Sequence, residues 1–252
     1  RNSVFFDSKK AEKIRADLGL EKKKLYGYMP TWRGILKQID SGKNAGQIER
    51  FLIELDQELS RDEVFFVRLH PFIKDSIDYS QYRHIRPFPD DYDPYDILNL
   101  CDCMVTDYSS VMFDYANSCR KLILFVFDKE SYIDERGLYV SMDTFPFPQV
   151  RSVQELLWEL RAPKTYDDRD FLEKFCQYDG EDTARKLCRH IIKGEKVFEE
   201  FHTDGNGKEN VLIYSGDLSR NGLTTSLLNL FSNIDMEKRN YYVTFSSVSL
   251  QK

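Results

Sequence analysis

Apolar positions along this 252-residue chain follow two periods. Leu25, Tyr26, Tyr28 and Met29 form one short apolar run, and Val64, Phe65, Phe66, Val67 and Leu69 form another; they stop at Pro30 and at His70-Pro71, as strands do. Between them Ala45, Ile48, Phe51, Leu52, Leu55 and Leu59 fall on one face of a helix. The order strand, helix, strand predicts an α/β fold, a Rossmann-like parallel sheet with helices on both faces. A third run, Met104-Val105-Thr106, passes directly into Asp107-Tyr108-Ser109-Ser110, where a helix carrying Val111, Met112, Phe113 and Asp114 is predicted to begin.

In open parallel sheets ligands bind beyond the carboxyl ends of the strands. Thr31, Arg33, Arg68, His70 and the segment from Thr106 to Ser110 therefore share one predicted edge. The first turn of a helix has free N–H groups and about half a positive charge, so Ser109, Ser110 and nearby amides suit a phosphate. Ser and Asp are also ordinary N-caps, and both readings stand at this stage. Arg68 lies two residues before His70, so in a strand the two share a face.

The chain divides by composition into a segment 1–194, a linker 195–208 and a segment 209–252. The first closes with a capping box at Ser152-Val153-Gln154-Glu155 and a charged amphipathic helix over 182–192. Asp204-Gly205-Asn206-Gly207-Lys208 reads as the linker. Residues 210–214, 222–231 and 241–245 then read as a fresh strand, helix and strand.

Charge and cysteine usage narrow the function classes. A net charge of −6 argues against a nucleic-acid partner, which needs a basic face. No apolar run approaches the roughly 20 residues that span a bilayer. Five cysteines are an odd number, and Cys101-Asp102-Cys103 lacks a second ligand pair for zinc, so reduced thiols are expected. Asp91-Tyr92-Asp93 fits an Asp-x-Asp metal pattern, but acids ahead of a helix at 95–100 fit its N-terminus better. No metal and no cofactor are expected.

Four segments taken together resemble the CDP-glycerol glycerophosphotransferase family, the teichoic acid primases and polymerases. They are Pro30-Thr31-Trp32-Arg33, Arg68-Leu69-His70-Pro71, Thr106-Asp107-Tyr108-Ser109-Ser110 with Asp114, and Glu135-Arg136-Gly137-Leu138-Tyr139, in the family's order. The resemblance covers about 1–160 and implies the carboxyl-terminal, nucleotide-binding half of a GT-B fold; the family's amino-terminal half is lacking, so the chain reads as an excised piece. It further implies transfer of glycerol phosphate from CDP-glycerol to a glycerol-phosphate or polysaccharide acceptor, with CMP released. Under it His70 is the candidate cation or general acid toward the leaving phosphate, a role suited to histidine's near-neutral titration. Thr31, Arg33, Arg68, Thr106, Asp107, Ser109, Ser110 and Arg136 are candidates for donor or phosphate binding. Asp107 is expected to orient its loop or accept from donor hydroxyls, and Asp114 to complement the helix dipole or meet a donor hydroxyl. The expected location is cytoplasmic, with peripheral membrane association assigned to regions outside this chain. Ser219-Arg220-Asn221-Gly222-Leu223-Thr224 is similar to the opening loop of many GT-B domains, which makes 209–252 the start of a second α/β unit; completion of the first sheet is the competing reading. Two other functions stay open: a nucleotide-sugar glycosyltransferase or UDP-sugar 2-epimerase, and a non-catalytic nucleotide- or polymer-binding module.

Overall fold

The computed structural model describes residues 2–31, 41–71, 77–200, 205–216 and 222–245. The chain forms two units, Arg1–Val197 and Phe198–Lys252. In the first, six strands build one sheet: β1 (Lys24–Tyr28), β2 (Glu63–Val67), β3 (Ile85–Pro87), β4 (Cys103–Thr106), β5 (Lys121–Phe125) and β6 (Gln149–Val150). Their order is β3-β2-β1-β4-β5-β6, with every neighbouring pair parallel. The helices are α1 (Ser8–Asp17), α2 (Ser41–Glu58), α3 (Pro94–Leu100), α4 (Val111–Ala116), α5 (Lys129–Arg136), α6 (Val153–Arg161), α7 (Arg169–Phe175) and α8 (Thr183–Lys193).

The inner strands are mostly apolar because both faces of the sheet are covered. Leu25, Phe66, Met104 and Leu122 enter one layer with Ile14 of α1, Ile97 of α3, Val111 of α4 and Phe171 of α7. Tyr26, Phe65, Val105 and Ile123 enter the opposite layer with Leu52 of α2 and Leu156 of α6. Each fully buried aliphatic side chain contributes about 1.5–3 kcal/mol, so the alternation fixes strand register as well as stability. This is the α/β, Rossmann-like arrangement that the patterning predicts. Gly27 is where α3 presses hardest on the sheet. A Cβ there would meet Leu98 Cδ2 at 2.9 Å and Cys101 Sγ at 3.0 Å.

Local signals set several element ends. Ser152 caps α6 by accepting from Glu155 N, while the Glu155 carboxylate accepts from Arg151 N at 2.7 Å, one residue earlier than a reciprocal box requires. Asp93 caps α3 by accepting from Tyr95 N at 2.8 Å, which gives the Asp-x-Asp acid a structural role. Cys101 and Cys103 are buried free thiols, and burial pushes the Cys101 thiol up to about 12. Asp102 between them accepts from Leu25 N and pairs with Arg15.

The chain runs from β1 outward to β2 and β3, then returns to lay β4 against the other side of β1. In open parallel sheets such a reversal of strand order is where a crevice forms beyond the carboxyl ends, here those of β1 and β4. In the second unit β7 (Glu209–Tyr214) and β8 (Arg239–Thr244) pair in parallel around α9 (Gly222–Phe231). Ser219, Arg220 and Asn221 of the expected loop lie outside the described residues. Among the described residues, no helix is long and apolar enough to cross a membrane.

Candidate functional site

One buried carboxylate organises the crevice. Asp107, 1% exposed at the end of β4, accepts through a single oxygen from Thr31 N at 2.8 Å, Thr31 Oγ1 at 2.7 Å and Tyr108 N at 2.6 Å. A buried anion needs such donors, and the result is that the loop leaving β1 is fastened to the loop leaving β4. Thr106 tightens the same seam: its hydroxyl donates to Met29 O at 2.6 Å, and Met29 N donates to Val105 O at 3.1 Å.

These bonds give three of the candidate residues a place in the scaffold of the crevice. Thr106 is fully buried and its hydroxyl proton is given to a backbone carbonyl. Thr31 spends both its backbone and its hydroxyl donor on Asp107. In this geometry both hydroxyl protons are given within the protein, and these two residues and Asp107 join the loops that leave β1 and β4.

Ser109 and Ser110 occupy its floor differently. Ser110 is exposed, has helical φ and ψ of −60° and −13°, and makes no side-chain cap hydrogen bond to α4. The ordinary N-cap reading therefore does not apply to its hydroxyl. α4 is only six residues long, so hydroxyls and amides matter here more than a helix dipole. Asp114, in the first turn of α4, accepts from Tyr95 Oη at 2.6 Å, which ties α4 to α3.

Arg136 reaches the cavity as the last residue of α5. Gly137 then turns the chain with φ of +72°, a conformation that disfavours a side chain. The Arg136 guanidinium lies 5.7 Å from the centre of the Tyr132 ring. Tyr132 in turn stacks on Tyr108, with ring centroids 3.8 Å apart and planes 17° apart, and the Tyr108 hydroxyl donates to Asp128 at 2.9 Å. Neither tyrosine stood out in the sequence; the one local sign was the i, i+4 spacing of Tyr132 and Arg136.

Thr31, Ser109, Ser110, Arg136, Tyr139 and Phe145 are among the walls of a cavity of about 510 Å³. Arg68 and His70 are not among its described walls. They follow β2 on the far side of β1, and β2 and β4 stand two strand spacings apart, roughly 10 Å. Arg68 N still donates to Tyr28 O at 2.8 Å, and Leu69 buries in the same layer as Phe65 and Val67. Leu69 thus continues the alternation of β2 past its end, with Arg68 and His70 on either side of it in the chain. The Arg68 guanidinium stands 3.9 Å from the exposed Asp90 carboxylate, a loose surface pair. Arg33 lies outside the described residues. Among the described residues, no group of three or more His, Cys, Asp or Glu side chains is placed to hold a metal ion.

Comparison with known proteins gives this geometry its context. Residues 1–193 match a family model described as CDP-Glycerol:Poly(glycerophosphate) glycerophosphotransferase. The chain is 28% identical over 188 residues to a teichoic acid poly(glycerol phosphate) polymerase of Bacillus spizizenii, a match covering 71% of this chain and 48% of that protein. It is 31% identical over 189 residues to a teichoic acid glycerol-phosphate transferase of Staphylococcus aureus, covering 72% of this chain and 48% of that one. A solved structure of the wall teichoic acid polymerase TagF, a variant soaked with CDPG, superposes with a TM-score of 0.62 at 29% identity over 77% of this chain and 50% of the other. The chain thus spans about half the length of these relatives.

Proposed function

We propose, from the premise that this chain belongs to the CDP-glycerol:poly(glycerophosphate) glycerophosphotransferase family, that its crevice between β1 and β4 holds the diphosphate of CDP-glycerol. The observation that carries the reading is the convergence of Ser109, Ser110 and Arg136 on one cavity framed by the Thr31–Asp107 bonds. Hydroxyls and a guanidinium at the floor and rim are the donors an anionic diphosphate requires.

In the reaction an acceptor hydroxyl of a glycerol-phosphate or related polymer attacks the phosphorus bearing the glycerol, the bond to the bridging oxygen breaks, and CMP leaves. Arg136, Ser109 and Ser110 neutralise charge on the non-bridging oxygens. Arg68 and His70, in the segment that follows β2 next to β1, would meet the leaving phosphate from that side, with His70 supplying positive charge or a proton to CMP. Asp107 and Asp114 act through the loops they fasten, since a carboxylate beside a diphosphate is repelled. We also read β7, α9 and β8 as the start of a further α/β domain; the parallel pairing of β7 with β8 and the exposure of Leu212, Tyr214 and Tyr242 support this.

The test is a donor screen on the intact protein, followed by mass spectrometry. CMP release from CDP-glycerol is the expected result, and UDP release or epimer formation from a UDP-sugar contradicts it. His70→Ala is expected to lower turnover by at least about a hundredfold, the scale of a lost acid or charge stabiliser. Turnover near that of the wild type removes His70 from the mechanism.

A further inference from the structure

We infer that Tyr132 is a positioning residue for Arg136, and that the stack Tyr108–Tyr132–Arg136 fixes the geometry with which this guanidinium meets the donor. The inference rests on the donor-site reading above. Arg136 ends α5, the last helical turn before a glycine with positive φ, where a long side chain has many rotamers and little backbone restraint. Its guanidinium carbon lies over the Tyr132 ring, 5.7 Å from the ring centre. A cation over an aromatic face is attracted by the ring's quadrupole, and a guanidinium held in one place meets a phosphate in bidentate fashion from a fixed direction.

Tyr132 is itself held from behind. Its ring lies almost parallel to that of Tyr108 at 3.8 Å, and Tyr108 is anchored at both ends of its side chain. Its backbone N–H donates to Asp107, and its hydroxyl donates to Asp128, the residue preceding α5. The carboxylate that fastens the Thr31 loop therefore also sets the base of the stack. Tyr132 is half-buried on a helix with no buried residues, so its ring contributes little to the core.

The stack predicts a pattern across variants that a structural role does not reproduce. CDP-glycerol binding is measured by calorimetry on the full chain, and KM and kcat in the intact protein. Arg136→Ala is expected to weaken donor binding about tenfold or more. Tyr132→Leu is expected to weaken it about 5- to 20-fold while thermal stability stays near wild type, and to raise KM more than it lowers kcat. Tyr132→Phe retains the ring and binds within about twofold of wild type. Arg136→Lys keeps the charge without the planar face and does not restore binding. In the double variant the Tyr132→Leu loss disappears, because there is no guanidinium left to position. Unchanged binding in Arg136→Ala refutes the donor-site reading itself. A loss in Arg136→Ala with wild-type binding in Tyr132→Leu, or with a Tyr132 effect that persists in the double variant, overturns the positioning role alone.

Discussion

Replacing Asp107 by alanine removes the group on which both loops of the crevice are fastened. Three donors converge on one of its oxygens, and a hydrogen bond to a charged group contributes about 1.5–3 kcal/mol net. Bonds that share an oxygen are not additive, so truncation is expected to cost about 3–5 kcal/mol, the range for removing one partner of a buried charged cluster. For a unit of this size that corresponds to a fall in Tm of roughly 6–20 °C. Asp107→Asn keeps an acceptor oxygen and loses the charge, so it is expected to fall between alanine and wild type, at about 1–2 kcal/mol. Urea unfolding of the full chain measures both, and CDP-glycerol calorimetry on the same samples should show affinity falling in the same order. An Asp107→Ala protein within about 1 kcal/mol of wild type would refute the idea that this carboxylate holds the crevice together.

Three further outcomes follow from the geometry. Ser110→Ala is expected to weaken CDP-glycerol binding without lowering Tm, because the hydroxyl caps nothing in α4; a loss of Tm with unchanged affinity reverses the assignment. Gly27→Ala is expected to destabilise by about 1–3 kcal/mol, since its methyl collides with Leu98 and Cys101, and an unchanged urea midpoint would contradict that contact. Glu63 contributes to acid stability: burial alone raises its pKa, but donors from Arg161, Ser60 and Tyr26 outweigh this and hold it below the ordinary carboxylate range. A carboxylate depressed on folding stabilises above its unfolded pKa of about 4.3 and ceases to as pH falls through the folded value. Wild type should therefore exceed Glu63→Gln in urea midpoint at pH 7, with the gap closing below about pH 4; a gap independent of pH contradicts the assignment.

Much of the scaffold was legible because it obeys local periods. The apolar runs at 24–29 and 64–69 became β1 and β2, and the face carrying Phe51, Leu52, Leu55 and Leu59 packs one side of the sheet, since burial on both faces leaves few alternatives. The strand ends also pointed to one edge of the sheet, because parallel sheets place their loops there by topology. What could not be read was the allocation of polar atoms within that edge. Thr106, Thr31 and Asp107 carry the residue types of a phosphate site, yet their hydrogen bonds join positions 76 or 77 apart, which no local pattern encodes. The Tyr108–Tyr132 stack was hidden for the same reason, being a contact between a loop and a helix in sequence-distant segments. Strand alternation did carry past the end of β2, where Leu69 remains in the core.

The central claim is that the donor's diphosphate sits between the carboxyl ends of β1 and β4. Titration of CDP-glycerol into isotope-labelled chain, followed by backbone amide chemical shifts, tests it without reliance on turnover. The account predicts the largest shifts at Thr31, Tyr108, Ser109, Ser110 and Gly137, saturating together with one affinity. Shifts confined to other surfaces, or none at saturating donor, would contradict it.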